Sequence, residues 1–148
     1  MTCTAWQQFT LGNNMKYLLI LLLAVSANAA TDEQIIAATI LGEARGEGDA
    51  GMYAVAAIIK QRSIERHISP AKVCLQKLQF SCNNNGPQLN LLKTKQSAYA
   101  LELARNINKI DTNYIKGSNH YHTKSVKPYW SKNKKPLIVI GNHEFYKL

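Results

Sequence analysis

TDEQIIAATILGEARGEGDAGMYAVAAIIKQRSIER, residues 31–66, reads as two helices and the glycine-rich corner that joins them. Thr31 precedes Asp32-Glu33-Gln34, and Thr31 with Gln34 has the form of a capping box. Ile35, Ile36, Thr39 and Ile40 follow at helical spacing, so a first helix is predicted to about Arg45, stopped near Gly46 and Gly48. A second helix is predicted over residues 50–66. Met52, Val55, Ala56, Ile58 and Ile59 make its buried stripe, and Lys60, Arg62 and Arg66 its wet side. Glu43 falls at the end of the first helix, directly after the apolar stretch that ends in Ile40-Leu41.

Further along the chain, Ser69-Pro70 is an N-cap followed by proline at the first helical position, which opens a short helix ending near Cys74. Residues 83–88 (NNNGPQ) read as a loop. A third long helix is predicted over 94–107, with Ala98, Leu101, Ala104 and Ile107 on its buried side. Past Lys116-Gly117 the pattern changes. His120-Tyr121-His122 alternates like a strand, and Leu137-Ile138-Val139-Ile140 is a β-type run. Gly141-Asn142 is a two-residue turn, so residues 143–148 return as a partner strand. Residues 127–136 form a basic connecting loop. Three main helices followed by a small antiparallel sheet make an α+β domain.

The N-terminal side carries a different signal. Residues 15–29 (MKYLLILLLAVSANA) have a positive residue, an apolar run and the small-x-small site Ala27-Asn28-Ala29, which predicts a secretory signal peptide cut after Ala29. The alternative is an uncleaved signal anchor, although the apolar run is shorter than the roughly 20 residues that span a bilayer. Met15 is then the expected start, with residues 1–14 an extension, and residues 30–148 form one exported domain in the periplasm or outside the cell, with no stable membrane anchor after cleavage. Export bears on Cys74 and Cys82, eight apart, which are predicted to pair as a disulfide; the alternative is two free buried thiols. Two cysteines alone do not complete a tetrahedral zinc site.

The whole chain has 148 residues, 46% hydrophobic and 18% charged, which fits a single folded domain and excludes a disordered tail or a disulfide-dense miniprotein. Lys plus Arg number 18 against 9 Asp plus Glu, a formal charge of +9 that favours an anionic partner. Residues 116–148 hold seven lysines and one glutamate. In an exported protein that segment points to an anionic envelope polymer, and no nucleic-acid partner is expected.

Three groups of residues carry candidate chemistry. A carboxyl set partly in an apolar pocket resists ionisation and serves as a general acid, which is one reading of Glu43. The other is an exposed helix end, with Arg45 pairing the carboxylate and glycines as C-caps. Glu47 lies four residues on; the separation of two carboxyls helps decide the stereochemistry of glycoside cleavage, and a structural pairing with Arg45 or Arg62 is the alternative. His120 and His122 share a strand face, and with His143 or Glu144 they would make a three-ligand zinc site; the bland reading is a polar strand or surface histidines. Tyr121, Tyr129, Trp130, Phe145 and Tyr146 supply aromatic surface suited to the flat faces of sugars or to the core.

Taken in order, Leu41 to Gly48, Gly51-Met52-Tyr53-Ala54-Val55-Ala56, Gln61-Arg62, Val73-Cys74, Gln79-Phe80-Ser81, His120-Tyr121-His122, Val126, Pro128, Trp130 and Ile140 to Tyr146 resemble the SleB-type cell wall hydrolase family over about residues 33–147. The resemblance implies a lysozyme-like α+β fold, a helical lobe with a small C-terminal sheet. It also implies action on peptidoglycan glycan strands between N-acetylmuramic acid and N-acetylglucosamine, as a lytic transglycosylase with Glu43 as catalytic acid. Glu47, Gln79, Ser81, Tyr121, His122, Trp130 and Asn142 are then the residues expected to hold the glycan, with no metal, no cofactor and a monomeric protein. The segment Cys82 to Gly86 departs from the family in lacking a tryptophan, which puts the local groove shape in question. Two competing readings remain at this level: a zinc-dependent amidase on His120, His122 and His143, and a non-catalytic envelope-binding protein.

Overall fold

The computed structural model describes residues 29–148. The extension over 1–14 and, apart from Ala29, the signal peptide expected over 15–29 lie outside the described residues.

Helix α1 (Asp32–Ala44) begins as the capping box requires: Gln34 N donates to Thr31 Oγ1 at 3.2 Å, and Thr31 N donates back to Gln34 Oε1 at 3.0 Å. It is buried on nearly every side, from Ile35 through Leu41 and again at Ala44, because it packs against α2 (Gly48–Arg66), α3 (Pro70–Leu75) and α4 (Ser97–Arg105). A helix that is apolar all round belongs inside a domain. Fully buried Ile40 and Leu41 anchor its last turns. Removing either side chain would cost about 2–5 kcal/mol.

Helix α2 starts two residues before the predicted Ala50 and has Glu47 at its N-cap. Met52, Val55, Ala56, Ile58 and Ile59 are buried as expected. Arg62 is not on the wet side. It is 6% exposed, donates from Nε to Asn119 O at 2.8 Å and from Nη1 to Gln79 O at 3.4 Å, and lies over the Phe80 ring. A guanidinium is buried when its donors are met, and here two distant carbonyls meet them.

Helix α4 is shorter than predicted, and its buried residues are Ala100, Leu103 and Ala104 rather than Ala98 and Leu101. The same segment offers two helical stripes, Ala98-Leu101 and Ala100-Leu103, and the second faces α1.

Strands β1 (His120–Thr123), β2 (Ile138–Ile140) and β3 (His143–Tyr146) form an antiparallel sheet in the order β1-β3-β2. The Gly141-Asn142 turn joins β2 to β3 as predicted. Tyr121 is opposite Phe145, and Ile138 and Ile140 are opposite Phe145 and His143. These residues turn one sheet face onto the helical core, where Phe145 is fully buried. No helix among the described residues is long and apolar enough to cross a membrane.

Candidate active site

Glu43 lies on the last turn of α1, where the helical lobe meets the inner sheet face. Its Oε2 accepts a hydrogen bond of 2.7 Å from Tyr121 Oη on β1. Oε1 accepts longer bonds, 3.4 Å each, from Ser81 Oγ and the Cys82 backbone N–H. Two separate segments therefore converge on one half-buried carboxyl at the end of α1. Burial first, and the adjacent Glu43 carboxylate second, push the Tyr121 hydroxyl well above its ordinary range. Tyr121 thus keeps its proton and remains a donor.

Gly42 makes this convergence possible. A Cβ there would stand 2.6 Å from Cys82 Cβ and 2.7 Å from its Sγ, so only glycine lets the Cys82 backbone approach α1.

Glu47 has a different environment. Its Oε2 accepts from Asn142 N at 2.8 Å and its Oε1 from Asn142 Nδ2 at 3.2 Å. The backbone bond from Asn142 is the main cause that holds the Glu47 carboxyl below its ordinary value, against a smaller opposing effect of burial. Neither Arg45 nor Arg62 pairs with it. The carboxylate clasps the start of α2 to the β2–β3 turn. Gly141 has φ of +57°, and a Cβ there would lie 2.3 Å from Glu47 Oε2.

His143 packs edge-on against Tyr121 at 5.1 Å between ring centroids, on the Glu43 side of the sheet. Burial lowers its pKa, with Glu47 and Glu43 pulling the other way, so its imidazole is neutral at pH 7. Its Nδ1 is buried without a hydrogen-bond partner.

The expected site residues divide between the two sheet faces. Glu43, Ser81 and Tyr121 come together, while Glu47 and Asn142 bind each other beside them. Gln79 is tied instead to Arg62, whose Nη1 donates to its backbone carbonyl. His122 and Trp130 are not brought to Glu43: strand alternation turns His122 away from Tyr121, and Trp130 packs on His122 at 5.4 Å and on His120 at 5.3 Å, on the outer face. The same alternation separates His143 from His120 and His122, so the zinc triad of the competing reading does not converge. No group of three or more metal-ligating side chains is assembled among the described residues.

The cysteines are a further correction: Cys74 and Cys82 are free. Cys82 Sγ lies 3.9 Å from Thr39 O. Burial pushes both thiols up to about 12, which keeps them protonated and unreactive. Sequence reasoning missed Arg62 and Asn119 as the buried polar link between the lobes; the Gln61-Arg62 pair was visible, but its carbonyl partners lie far off in sequence.

The cell wall hydrolase family profile matches residues 46–146, more than half of the chain. The chain belongs to the cell wall hydrolase family. It is an enzyme that degrades the peptidoglycan of the wall. The profile begins three residues after Glu43, so the placement of that residue rests on the contacts above. Among solved structures, the enzyme is similar to the catalytic domain of the germination-specific lytic transglycosylase SleB from Bacillus anthracis. The TM-score is 0.65 at 23% identity, covering 83% of this chain and 100% of that one. It is also similar to the catalytic domain of the Bacillus cereus SleB protein, with a TM-score of 0.63 at 26% identity over 81% of this chain and 94% of that one. These likenesses bear out the lysozyme-like α+β architecture. A comparison with curated proteins finds no match for the enzyme.

Proposed function

We propose that the enzyme is an exported lytic transglycosylase that cuts the glycan between N-acetylmuramic acid and N-acetylglucosamine, with Glu43 as general acid and then general base. Glu43 gives its proton to the bridging oxygen as the bond from that oxygen to muramic acid C1 breaks. The muramic acid 6-hydroxyl closes on C1 and returns its proton to Glu43, leaving a 1,6-anhydro end. One carboxyl serves both proton transfers, and Tyr121 orients it.

The observation that carries this reading is the unequal state of the two carboxylates at the helix corner. Asn142 occupies both oxygens of Glu47. Glu43 has one oxygen firmly held by Tyr121 and the other only loosely contacted. A hydrolase that activates water uses a second carboxylate free to act as base or nucleophile. Glu47 is tied into the fold, which favours a mechanism that needs one. The Bacillus anthracis SleB domain is itself called a lytic transglycosylase, in keeping with this choice. The lysine-rich C-terminal segment would help hold the enzyme to anionic envelope polymers, and the protein would act as a monomer.

Glu43→Gln tests the assignment. The amide keeps the size of the side chain but has no acidic proton. Release of soluble fragments from purified sacculi should fall by about 10²–10⁴-fold, with the thermal melt unchanged. A fully active variant would overturn the reading.

A further inference from the structure

The outer face of the sheet carries its own cavity, of about 710 Å³, walled on one side by His122, Glu144 and Tyr146 and on the other by the 127–136 loop. It does not include Glu43, Ser81 or Tyr121, which lie across the sheet. Its size is that of a small-molecule site rather than of a bare ion.

Three features define what fits. The first is charge. Lys127, Lys132 and Lys134 line the cavity and make no ion pair among the described residues. The single carboxylate in the lining, Glu144, already accepts a 3.0 Å hydrogen bond from Tyr146 Oη. Ammonium groups on flexible stems are phosphate binders, acting as point charges.

The second is His122. Its side chain is 7% exposed. Nδ1 lies 2.9 Å from the Thr123 carbonyl, which only accepts, so Nδ1 carries a proton and donates. Nε2 is buried with no partner, and Glu144 Oε2 stands 3.7 Å away, beyond hydrogen-bond reach. Nε2 thus faces the Glu144 carboxylate with no hydrogen bond of its own. A hydroxyl placed between them satisfies it, and a buried polar atom left unmet is costly. The third feature is Tyr129, 89% exposed in the lining, which offers a flat ring to a sugar or polyol.

We propose that this cavity is a second binding site, for a phosphate-bearing sugar or polyol unit such as a phosphodiester polymer repeats along its chain. The lysines take the phosphate, His122 Nε2 takes a ligand hydroxyl, and Tyr129 covers the carbon skeleton. The envelope as the source of such a polymer rests on the proposed function; the recognition chemistry does not.

Glucose 6-phosphate is a suitable probe, titrated into the purified protein by calorimetry while the His122 ring proton is followed by NMR. It should bind at least about tenfold more tightly than inorganic phosphate or glucose alone, with the His122 resonance shifting along the same curve. Lys132→Gln/Lys134→Gln should weaken it about tenfold or more, while Lys93→Gln/Lys95→Gln should not. Glu43→Gln should still bind it, which separates failure here from failure of the cleavage assignment. Three results would overturn the proposal: equal binding after Lys132→Gln/Lys134→Gln, displacement by N-acetylglucosamine oligomers, or glucuronate binding as tightly as the phosphate.

Discussion

At the scale of single residues, the candidate site is a carboxyl held by hydrogen-bond donors from Ser81, Cys82 and Tyr121. Tyr121 Oη donates to Glu43 Oε2 and never competes for ionisation at working pH, because burial and the carboxylate both hold its proton on. A hydrogen bond to a charged group is worth about 1.5–3 kcal/mol. Tyr121→Phe should therefore lower kcat by about 10–100-fold with KM nearly unchanged, and it should lower the melting temperature by several degrees, about 4–8 °C per kcal/mol lost. A raised KM with kcat preserved would make Tyr121 a substrate contact instead. Gly42 is the second decisive residue. Gly42→Ala gains about 1 kcal/mol of helix propensity. The new methyl, though, enters the space of Cys82, and overpacking of that kind costs about 1–3 kcal/mol. We expect a lower melting temperature together with slower cleavage, since Cys82 N–H is one of the donors to Glu43. A variant that melts higher and cleaves normally would show that Cys82 moves aside freely.

At the scale of elements, the helical lobe and the sheet are locked by side-chain-to-backbone bonds that no local pattern announces. Glu47 and Asn142 tie α2 to the β2–β3 turn, and Arg62 ties α2 to the start of β1 through Asn119 O. Asn142→Ala removes the side-chain half of the first lock and keeps the backbone half. Stability should fall by about 1 kcal/mol, measured by denaturant unfolding, and cleavage should fall with it as the sheet loosens from Glu43. Unchanged stability would mean that the backbone bond alone holds the turn. The helices, the turn at Gly141-Asn142 and the position of Glu43 at the end of α1 were legible from spacing and capping, because those signals are local. The face that each strand residue takes was not. His120-x-His122 and His143 look like one metal-ligand set until the β1-β3 register sends His143 to the opposite side. Trp130, expected among the residues that hold the glycan, lies tilted against His122 on the outer face of the sheet. The spacing of Cys74 and Cys82 is likewise silent on geometry: the two thiols are free.

At the scale of the whole molecule, acid should loosen the fold through its tied carboxylates. Burial pulls the Glu65 carboxyl upward, but hydrogen bonds from Lys147, Gln61 and Asn119 outweigh it and bring it down from 4.5 to about 2. Asn119 in turn grips the C-terminus through Leu148 N and O. A depressed folded pKa means that the unfolded chain binds more protons between those two values. The contribution is complete above about pH 4.5 and disappears as pH falls towards 2. Glu47, also held low, adds to the same trend. Melting temperature should drop steeply over that window, and Glu65→Gln should flatten the drop; an equally steep profile in that variant would remove Glu65 as its cause. The central claim, a single-carboxyl transglycosylase, is tested most directly by mass spectrometry of fragments released from purified sacculi by the wild type and by Glu43→Gln. The account predicts 1,6-anhydro-muropeptides from the wild type and none from the variant. Reducing-end sugars from the wild type, or free stem peptides with intact glycan, would contradict it.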